Sequence, residues 1–334
     1  MRISPAKWAF LAVFLFLVLA AASIVWFTRM PLQSYSGALQ PLTPDEEKIR
    51  EDLTGYVNQL SATIGERNLD HEEALNSAAD FLLRTLGQEG YVLNTYQYPV
   101  HGKFVKNIEV QIQGASSPGQ TLIVGAHYDS APGSPGADDN ATGVAALLEL
   151  ARLLKTSRPL ETIRLVFFGN EEPPYFQTSQ MGSLVYAKKL RSQNVNVSGM
   201  IALETIGYYS DARGSQKYPA GFGLIYPDVG NFIGFVGNTG SRDLVVRAVK
   251  AFRESAAFPS EGVAAPGSLT GIGWSDHWSF WQQEYQGIMV TDTAPFRYRY
   301  YHRPDDTPDK VDFERMARVV KGLSRVVLRL AAGN

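Results

Sequence analysis

Short, mostly apolar stretches that alternate with helical stretches constrain the fold of this chain most strongly. Three of them lie at 121–126 (TLIVGA), 162–168 (TIRLVFF) and 200–203 (MIAL). Runs of this length and composition are typical of strands that are buried on both faces of a sheet. Helices are predicted at 142–154 and 312–330. This alternation predicts an α/β domain with three αβα layers around a mostly parallel central sheet.

A helix-capping motif opens the folded part of the chain. Thr43 and Glu46 have the spacing of a capping box, with Pro44 at the first helical position, and they predict a helix to about residue 61. A second helix is predicted at 71–86, and further strands at 91–98, 104–112, 223–226 and 287–290. Two stretches rich in Gly, Ser and Pro, 209–223 and 256–273, are predicted to be long surface loops.

Composition excludes several classes of protein. Lys and Arg number 31 against 33 Asp and Glu, so the formal net charge is −2 and no basic excess is available for nucleic acid. Cysteine is absent, which excludes disulfides, thiolate metal ligands and a cysteine nucleophile. The 334 residues are 45% hydrophobic, which is enough for one large core. We therefore predict a single folded domain with no nucleic-acid partner.

The N-terminus carries an uncharged apolar run at 8–27. Twenty residues in a helix extend about 30 Å, which matches a bilayer core, and the basic residues before the run favour a cytoplasmic N-terminus. We predict a cytoplasmic segment at 1–7, a transmembrane signal anchor at 8–27, a linker at 28–42 and an extracytoplasmic domain, periplasmic or extracellular, at 43–334. A signal peptide cleaved near residues 20–22 is the alternative interpretation.

Acidic and histidine side chains follow the predicted buried strands. His127 and Asp129 come after the first strand, Glu171 and Glu172 after the second, and Glu204 after the third. Ligands of open α/β sheets bind beyond the carboxyl ends of the strands. We therefore expect these five side chains to meet at one edge of the sheet.

The other candidates lie outside the strands. Asp138 and Asp139 precede the predicted helix at 142–154, where a solvated turn with a helix N-cap is an equally good interpretation. His302 lies near the C-terminus. Nitrogen and oxygen ligands suit zinc. Two metal ions that share one carboxylate need about five protein ligands, and the sequence supplies His127, Asp138, Glu172, Glu204 and His302, with Glu171 left as a base.

The sequence resembles the co-catalytic zinc exopeptidases of metallopeptidase family 28. Five motifs carry the resemblance, in the order G-A-H-Y-D-S, P-G-A-D-D-N-A-T-G, F-F-G-N-E-E, A-L-E-T-I-G-Y and Y-H-R-P-D-D-T. It implies that two zinc ions are bound and that Asp138 bridges them and shares a cis peptide with the residue after it. It further implies that His127 and Glu204 complete one zinc site, and that Glu172 and His302 complete the other.

The resemblance also implies a reaction. Glu171 matches the general base that takes a proton from the metal-bridging water, and Asp129 matches the carboxylate that orients His127. The implied activity is that of an exopeptidase on a peptide substrate, with an aminopeptidase that removes N-terminal residues favoured and a carboxypeptidase left open. With the anchor predicted at 8–27, we expect a membrane-anchored enzyme. The segment 275–278 (SDHW) resembles one that lines the family's cleft, so the expected substrate contacts are Asp276, His277, Trp278 and Tyr301, although a packed core residue is an equally good interpretation of His277.

Two alternatives stay open on the same fold. One is a glutaminyl cyclase-like acyltransferase that uses one zinc ion, and the other is a non-catalytic binding ectodomain, against which the complete ligand set argues. Glu204 also departs from the family pattern, because the better-known aminopeptidases carry Asp at this position. The extra methylene of Glu204 predicts a change in how its zinc is held.

Overall fold

The computed structural model describes residues 5–115, 119–219 and 221–333, without the side chains of residues 5–7, 9, 11, 20 and 21. In these ranges the α-helices are α1 (Pro5–Thr28), α2 (Pro44–Val57), α3 (Glu72–Gln88), α4 (Gly143–Leu154), α5 (Gly182–Ser192), α6 (Arg242–Ser255), α7 (His277–Trp281), α8 (Ala294–Arg297) and α9 (Phe313–Leu330). The strands are β1 (Asn94–Val100), β2 (Lys103–Ile112), β3 (Thr121–His127), β4 (Thr162–Phe168), β5 (Val197–Glu204), β6 (Ile233–Asn238), β7 (Ser260–Ala265) and β8 (Gly287–Thr291).

One eight-stranded sheet runs through the domain in the order β1-β2-β4-β3-β5-β8-β6-β7. Its centre is parallel, with β4, β3, β5 and β8 side by side. The pairs β1–β2, β2–β4 and β6–β8 are antiparallel, and β6–β7 is parallel. The predicted α/β fold with a central sheet is confirmed, and the sheet is mixed towards both edges.

The central strands are buried on both faces because helices cover both. Every residue of β3 is buried. Val124 and Ile201 face the larger core, which is formed with α2, α4, α6 and α9. Ile123 and Met200 face the opposite way, into a smaller core with α5 and α7. The continuous apolar runs in the sequence therefore reflect strands with no solvent-facing side.

The capping box predicted at the start of the domain is present. The backbone N–H of Thr43 donates to Glu46 Oε2 at 2.8 Å, and the N–H of Glu46 donates back to Thr43 Oγ1 at 3.4 Å. These bonds satisfy donors that the first turn of a helix leaves free. Helix α2 continues into a π-helical turn, Asn58–Ile64.

Two regions differ from the predictions. The strand predicted at 223–226 is wrong, because Phe222–Leu224 forms a single 3₁₀ turn. The stretch predicted as a loop at 256–273 contains β7, and β6 was not predicted. Both strands contain glycine, Gly234 and Gly237 in β6 and Gly262 in β7. Glycine disfavours a strand prediction, while hydrogen bonding to the neighbouring strands compensates for it in the sheet.

The predictions for the N-terminus concern a cytoplasmic segment and a transmembrane helix. Residues 1–4 of the predicted cytoplasmic segment lie outside the described residues, as do the side chains of four residues in the predicted membrane span at 8–27. Over the part of the chain that is described, no helix is both long enough and apolar enough to cross a membrane. The structure therefore does not support the predicted transmembrane helix.

The predicted linker packs against the domain. Arg253 of α6 donates from Nη1 to the carbonyl oxygens of Pro31 and Leu32, at 3.1 and 2.9 Å. The backbone N–H of Ser260 donates to Ser34 Oγ at 2.8 Å. Residues 31–34 therefore run beside the edge strand β7, near its first residue.

Candidate active site

The carboxyl ends of the parallel strands gather the candidate side chains at one edge of the sheet. His127 is the last residue of β3 and Glu204 is the last residue of β5. Glu171 and Glu172 follow β4 after a two-residue turn. All four side chains are buried, as their places at the ends of buried strands predict.

Two groups of ligand atoms form around these residues. In the first, His127 Nε2 lies 3.4 Å from Asp139 Oδ1 and 3.3 Å from Glu204 Oε2. In the second, His302 Nε2 lies 3.0 Å from Asp139 Oδ2 and 3.2 Å from Glu172 Oε2. Asp139 belongs to both groups and gives one carboxylate oxygen to each.

These distances fit a metal centre. Ligand atoms at about 2.0–2.2 Å from a tetrahedral zinc ion are roughly 3.3 Å from one another. Asp139 Oδ1, Glu172 Oε1 and His302 Nε2 are also buried and have no hydrogen-bond partner. Buried polar atoms are normally paired. The donor set is nitrogen and oxygen only, and it suits zinc.

The shared carboxylate is Asp139, which corrects the prediction of Asp138. Asp138 belongs to neither group. Its Oδ1 accepts the backbone N–H of Gly207 at 2.9 Å, and its side chain lies against Asp292. Burial raises the pKa of Asp138 well above its ordinary value, and the neighbouring Asp292 raises it further. The cis peptide lies between Asp139 and Asn140, one residue later than predicted.

Two residues that hold the Asp139 loop were not predicted. Asp306 accepts the backbone N–H groups of Asp138 and Asp139, at 2.9 and 3.2 Å. Asn140 donates from Nδ2 to Leu203 O at 2.9 Å and accepts the Thr205 N–H at 3.1 Å, on the two sides of Glu204. Both residues lie in motifs quoted above, Asn140 next to Asp139 and Asp306 near His302, and this proximity to the ligands was the sequence signal that could have identified them.

Asp129 lies beside His127, and its role as the orienting carboxylate stays a prediction. Its Oδ1 lies 3.5 Å from His127 Nδ1, on the ring edge that faces away from the ligand group. The carboxylate also accepts the backbone N–H groups of Glu171 and Glu172, at 3.1 and 3.0 Å. One buried carboxylate therefore lies beside the imidazole of the first group and holds the turn that follows β4.

Glu171 belongs to neither group and lies beside both. Its Oε2 is 3.9 Å from His127 Nε2. Burial raises the pKa of Glu171 well above its ordinary value, an effect that His127 opposes and the negative charge of Glu204 reinforces. A buried carboxyl with a raised pKa, next to a metal-binding group, is suited to accepting and returning a proton near neutral pH.

Glu204 has a partner that sequence reasoning missed. Ser275 Oγ donates to Glu204 Oε2 at 2.6 Å, and both residues are buried. Burial raises the pKa of Glu204, and His127 opposes this shift. The hydroxyl thus holds the longer carboxylate arm that distinguishes this chain from the predicted family pattern.

The four predicted substrate contacts differ in where their side chains lie. Tyr301 lines an apolar pocket that opens beside the ligand groups, and it stacks on His302 with 3.9 Å between the ring centroids. Asp276 is completely buried with both carboxylate oxygens unpaired, and burial raises its pKa to about 7. Trp278 is half-buried and does not line this pocket.

His277 is the predicted contact that the structure corrects. Its side chain is completely buried, with Nε2 2.8 Å from the carbonyl oxygen of Ile272 and the ring edge-on to Trp281. Burial lowers the pKa of His277 to about 4. The packed-histidine interpretation is therefore the one that the geometry supports.

An unpredicted cation lies behind the site. Arg67 is fully buried, and its guanidinium donates only to backbone carbonyls, among them Tyr128 O at 2.7 Å and Gly136 O at 2.9 Å. Burial lowers the pKa of Arg67 to about 10, and the nearby carboxylate of Asp129 opposes this. Nothing in the local sequence around Arg67 predicts that its guanidinium is buried among backbone carbonyls.

A large apolar pocket opens beside the ligand groups. It is open to solvent on one side, begins at Glu204 and Tyr301, and extends over β8, β6 and β7. Aromatic side chains dominate its walls: Tyr218, Phe222, Tyr226, Phe232, Trp274 and Phe296. A concave apolar site next to a few polar groups is typical of a substrate-binding pocket.

Two relatives are similar to this chain in sequence. The chain is 38% identical to uncharacterized protein YfbL of Escherichia coli, over 94% of this chain and 96% of that protein. It is 30% identical to aminopeptidase YwaD of Bacillus subtilis over 58% of this chain, and it spans about 38% of that relative's length.

Solved structures share the fold. A zinc aminopeptidase from Bacillus subtilis superposes with a TM-score of 0.67 at 15% identity, over 83% of this chain and 94% of that one. Fimbriiglobus ruber glutaminyl cyclase superposes with a TM-score of 0.62 at 16% identity, over 89% of this chain and 98% of that one.

The sequence model of peptidase family M28 matches residues 107–327. The chain therefore belongs to peptidase family M28 and is a zinc metallopeptidase.

Proposed function

We propose that this protein is an aminopeptidase that uses two zinc ions to remove N-terminal residues from peptides. One observation carries the proposal: Asp139 gives one oxygen to each of two ligand groups. Five residues would hold the two ions: His127, Asp139, Glu172, Glu204 and His302. A shared carboxylate between two three-residue groups is the arrangement expected of a two-metal hydrolytic site.

In this proposal, zinc would activate the substrate and the water, while residues of the chain move the proton and hold the site in place. Bound zinc would supply Lewis-acid polarisation of the substrate carbonyl and a water molecule of lowered pKa. The oxygen of the attacking water bonds to the carbonyl carbon, and Glu171 accepts a proton from this water. The carbon–nitrogen bond then breaks, and Glu171 returns the proton to the leaving amine. Asp129 keeps Glu171 and His127 in place through the contacts described above.

The pocket supports cleavage at the N-terminal residue. Its apolar walls begin at Glu204, so the pocket would receive the side chain of the residue next to the scissile bond. The name of the relative YwaD, an aminopeptidase, points the same way. The similarity to a glutaminyl cyclase concerns the fold alone. Two complete ligand groups favour the two-metal hydrolase over a single-zinc acyltransferase, and over a binding ectodomain.

Metal content and hydrolysis, measured together on the full-length chain in detergent, test the proposal. We expect about two zinc ions per chain and hydrolysis of aminoacyl p-nitroanilides that a chelator abolishes. Glu171→Gln should lower kcat by about 10²–10⁴-fold with zinc retained. Glu73→Gln, an exposed control in α3, should change neither. One zinc per chain with cyclisation of N-terminal glutamine would identify the acyltransferase, and a metal-free inert chain would identify a binding domain.

For location, we propose that the folded domain works outside the cytoplasm, attached through segment 8–27. The support comes from the sequence alone: the length of the apolar run, and the basic residues Arg2 and Lys7 before it. Membrane fractionation and protease treatment of intact cells or spheroplasts test this. A chain recovered in the cytosolic fraction, or protected until the cytoplasmic membrane is lysed, would contradict it.

A further inference from the structure

One carboxylate lies at the end of the apolar pocket that is remote from the ligand groups. Glu204 pairs with Thr291 across β5 and β8, Thr291 pairs with Gly234 across β8 and β6, and Gly234 pairs with Glu261 across β6 and β7. Glu204 and Glu261 therefore stand in one row of the sheet, three strand spacings or about 14 Å apart. Both line the pocket.

The row also fixes the direction in which Glu261 points. Residues paired directly across neighbouring strands project from the same face of a sheet. Val236 and Met289, which flank the row by two positions, pack together in the small apolar cluster on that face. Gly234 has no side chain, so the floor between Thr291 and Glu261 is low there. The methyl groups of Thr293 and Thr291 border it, 3.5 and 3.7 Å from where a Cβ of residue 234 would lie. An extended side chain can lie there between the two acids.

Glu261 has no hydrogen-bond donor among the described residues. The nearest cation is Arg253, whose Nη2 lies 3.7 Å from Glu261 Oε2, beyond hydrogen-bond distance. The Arg253 donors are used elsewhere: Nε and Nη2 on Ser260, and Nη1 on the carbonyls of Pro31 and Leu32. The carboxylate therefore borders the pocket with a long ion pair to Arg253 and without a hydrogen bond from a described side chain.

The walls around this carboxylate suit an alkyl chain that ends in a cation. Tyr218, Phe222 and Tyr226 line the same end of the pocket. Aromatic faces pack against the methylene groups of lysine and arginine, and they also attract their charged ends. Burial raises the pKa of Glu261 and the nearby Arg253 opposes this rise, so a second cation bound beside the carboxylate would further offset the desolvation of its charge.

We propose that Glu261 selects peptides whose N-terminal residue is lysine or arginine, by binding the cationic end of that side chain. This rests on the proposed aminopeptidase function, in which the α-carbon of that residue lies next to the ligand groups. The side chain would pass over Gly234 and reach the carboxylate. The aromatic walls also admit uncharged side chains, and Glu261 sets the preference among them.

The test compares substrates of matched shape on the full-length zinc-loaded enzyme. Lysine is paired with norleucine, and arginine with citrulline, each as the p-nitroanilide. A charge-assisted hydrogen bond in a desolvated pocket predicts a kcat/KM at least about tenfold higher for each cationic member. Glu261→Gln, which keeps the shape, should remove this advantage and leave the norleucine value within about twofold. Glu254→Gln, an exposed control on α6, should retain it.

Each outcome decides the matter. Equal rates for lysine and norleucine, or an equal loss on all four substrates in Glu261→Gln with an unchanged Tm, would overturn the proposal while leaving the aminopeptidase intact. If no substrate is cleaved, the proposed function fails, and calorimetric binding of lysinamide against norleucinamide still tests the pocket. Tighter lysinamide binding that depends on Glu261 would support the cation site, and equal binding would refute it.

Discussion

The carboxylate of Asp306 accepts the backbone N–H of Asp139 at 3.2 Å, and with it the N–H of Asp138 at 2.9 Å. Asp306 is buried and also accepts the hydroxyl of Tyr298 at 2.7 Å. It lies four residues after His302 in the same turn. One carboxylate therefore ties the loop of the shared ligand to the loop of a second ligand, which fixes the distance between them.

Asp306→Asn should weaken zinc binding without removing any ligand. An amide presents one acceptor and one donor, so one of the two N–H groups would face an N–H donor. Loss of a group that orients a metal ligand typically costs about 10–100-fold in metal affinity. Competition with a chromophoric chelator measures this. The exposed neighbour serves as the matched control: Asp305→Asn should bind zinc as the wild type does, and equal affinities in both variants would refute the role of Asp306.

Asp138 and Asp139 should respond differently to the same substitution. Asp139→Asn removes the negative charge that both ligand groups share and replaces one of the two ligand oxygens with an NH2 group, so we expect zinc content to fall well below two per chain and activity to be lost. Asp138 lies outside both ligand groups, and an amide of the same shape can keep its oxygen on the Gly207 N–H and place its NH2 group beside the Asp292 carboxylate. Asp138→Asn should therefore keep its zinc. Elemental analysis decides between them, and the opposite result would restore Asp138 as the bridge.

Glu204→Asp tests the longer carboxylate arm. The backbone of Glu204 is fixed by its pairing with Thr291, so shortening the side chain withdraws the carboxylate by about 1.5 Å from His127 and Ser275. We expect zinc bound by this group to weaken by at least about tenfold. Ser275→Ala, which removes only the hydroxyl, should have a smaller effect in the same titration. A Glu204→Asp enzyme with unchanged zinc affinity would show that the backbone adjusts.

His277 makes stability depend on pH. Its pKa is about 4 in the folded chain, against 6.5 for an unperturbed histidine. The unfolded chain therefore binds a proton between pH 6.5 and 4 that the folded chain does not, so stability is full above pH 6.5 and falls as the pH drops, by up to about 3 kcal/mol.

His277→Gln should reduce this dependence, because glutamine does not titrate and keeps a donor for Ile272 O. Urea unfolding from pH 7 to pH 4.5 gives the comparison. The free energy of unfolding should fall less steeply with decreasing pH in the variant than in the wild type. Parallel curves would mean that His277 is not the group responsible.

Much of the fold was predictable because its signals are local. The apolar runs became β3, β4, β5 and β8, and the capping motif at Thr43 became the start of α2. β6 and β7 were not predicted, because Gly234, Gly237 and Gly262 lower the strand propensity of these segments. In the sheet, hydrogen bonds to the neighbouring strands compensate for this low propensity. The transmembrane prediction for 8–27 rested on local composition as well, and the described helices do not support it.

The sequence by itself determined which residue types stand at the strand ends, and hence that His127, Glu172 and Glu204 would converge at the carboxyl edge of a parallel sheet. It could not determine which of two adjacent aspartates is shared. Asp138 and Asp139 are chemically identical, and only the tertiary structure separates them: Gly207 and Asp292 hold the first, while Asp306 turns the second towards both histidines. The same holds for Glu261, because only the register of four strands places it in the row of Glu204.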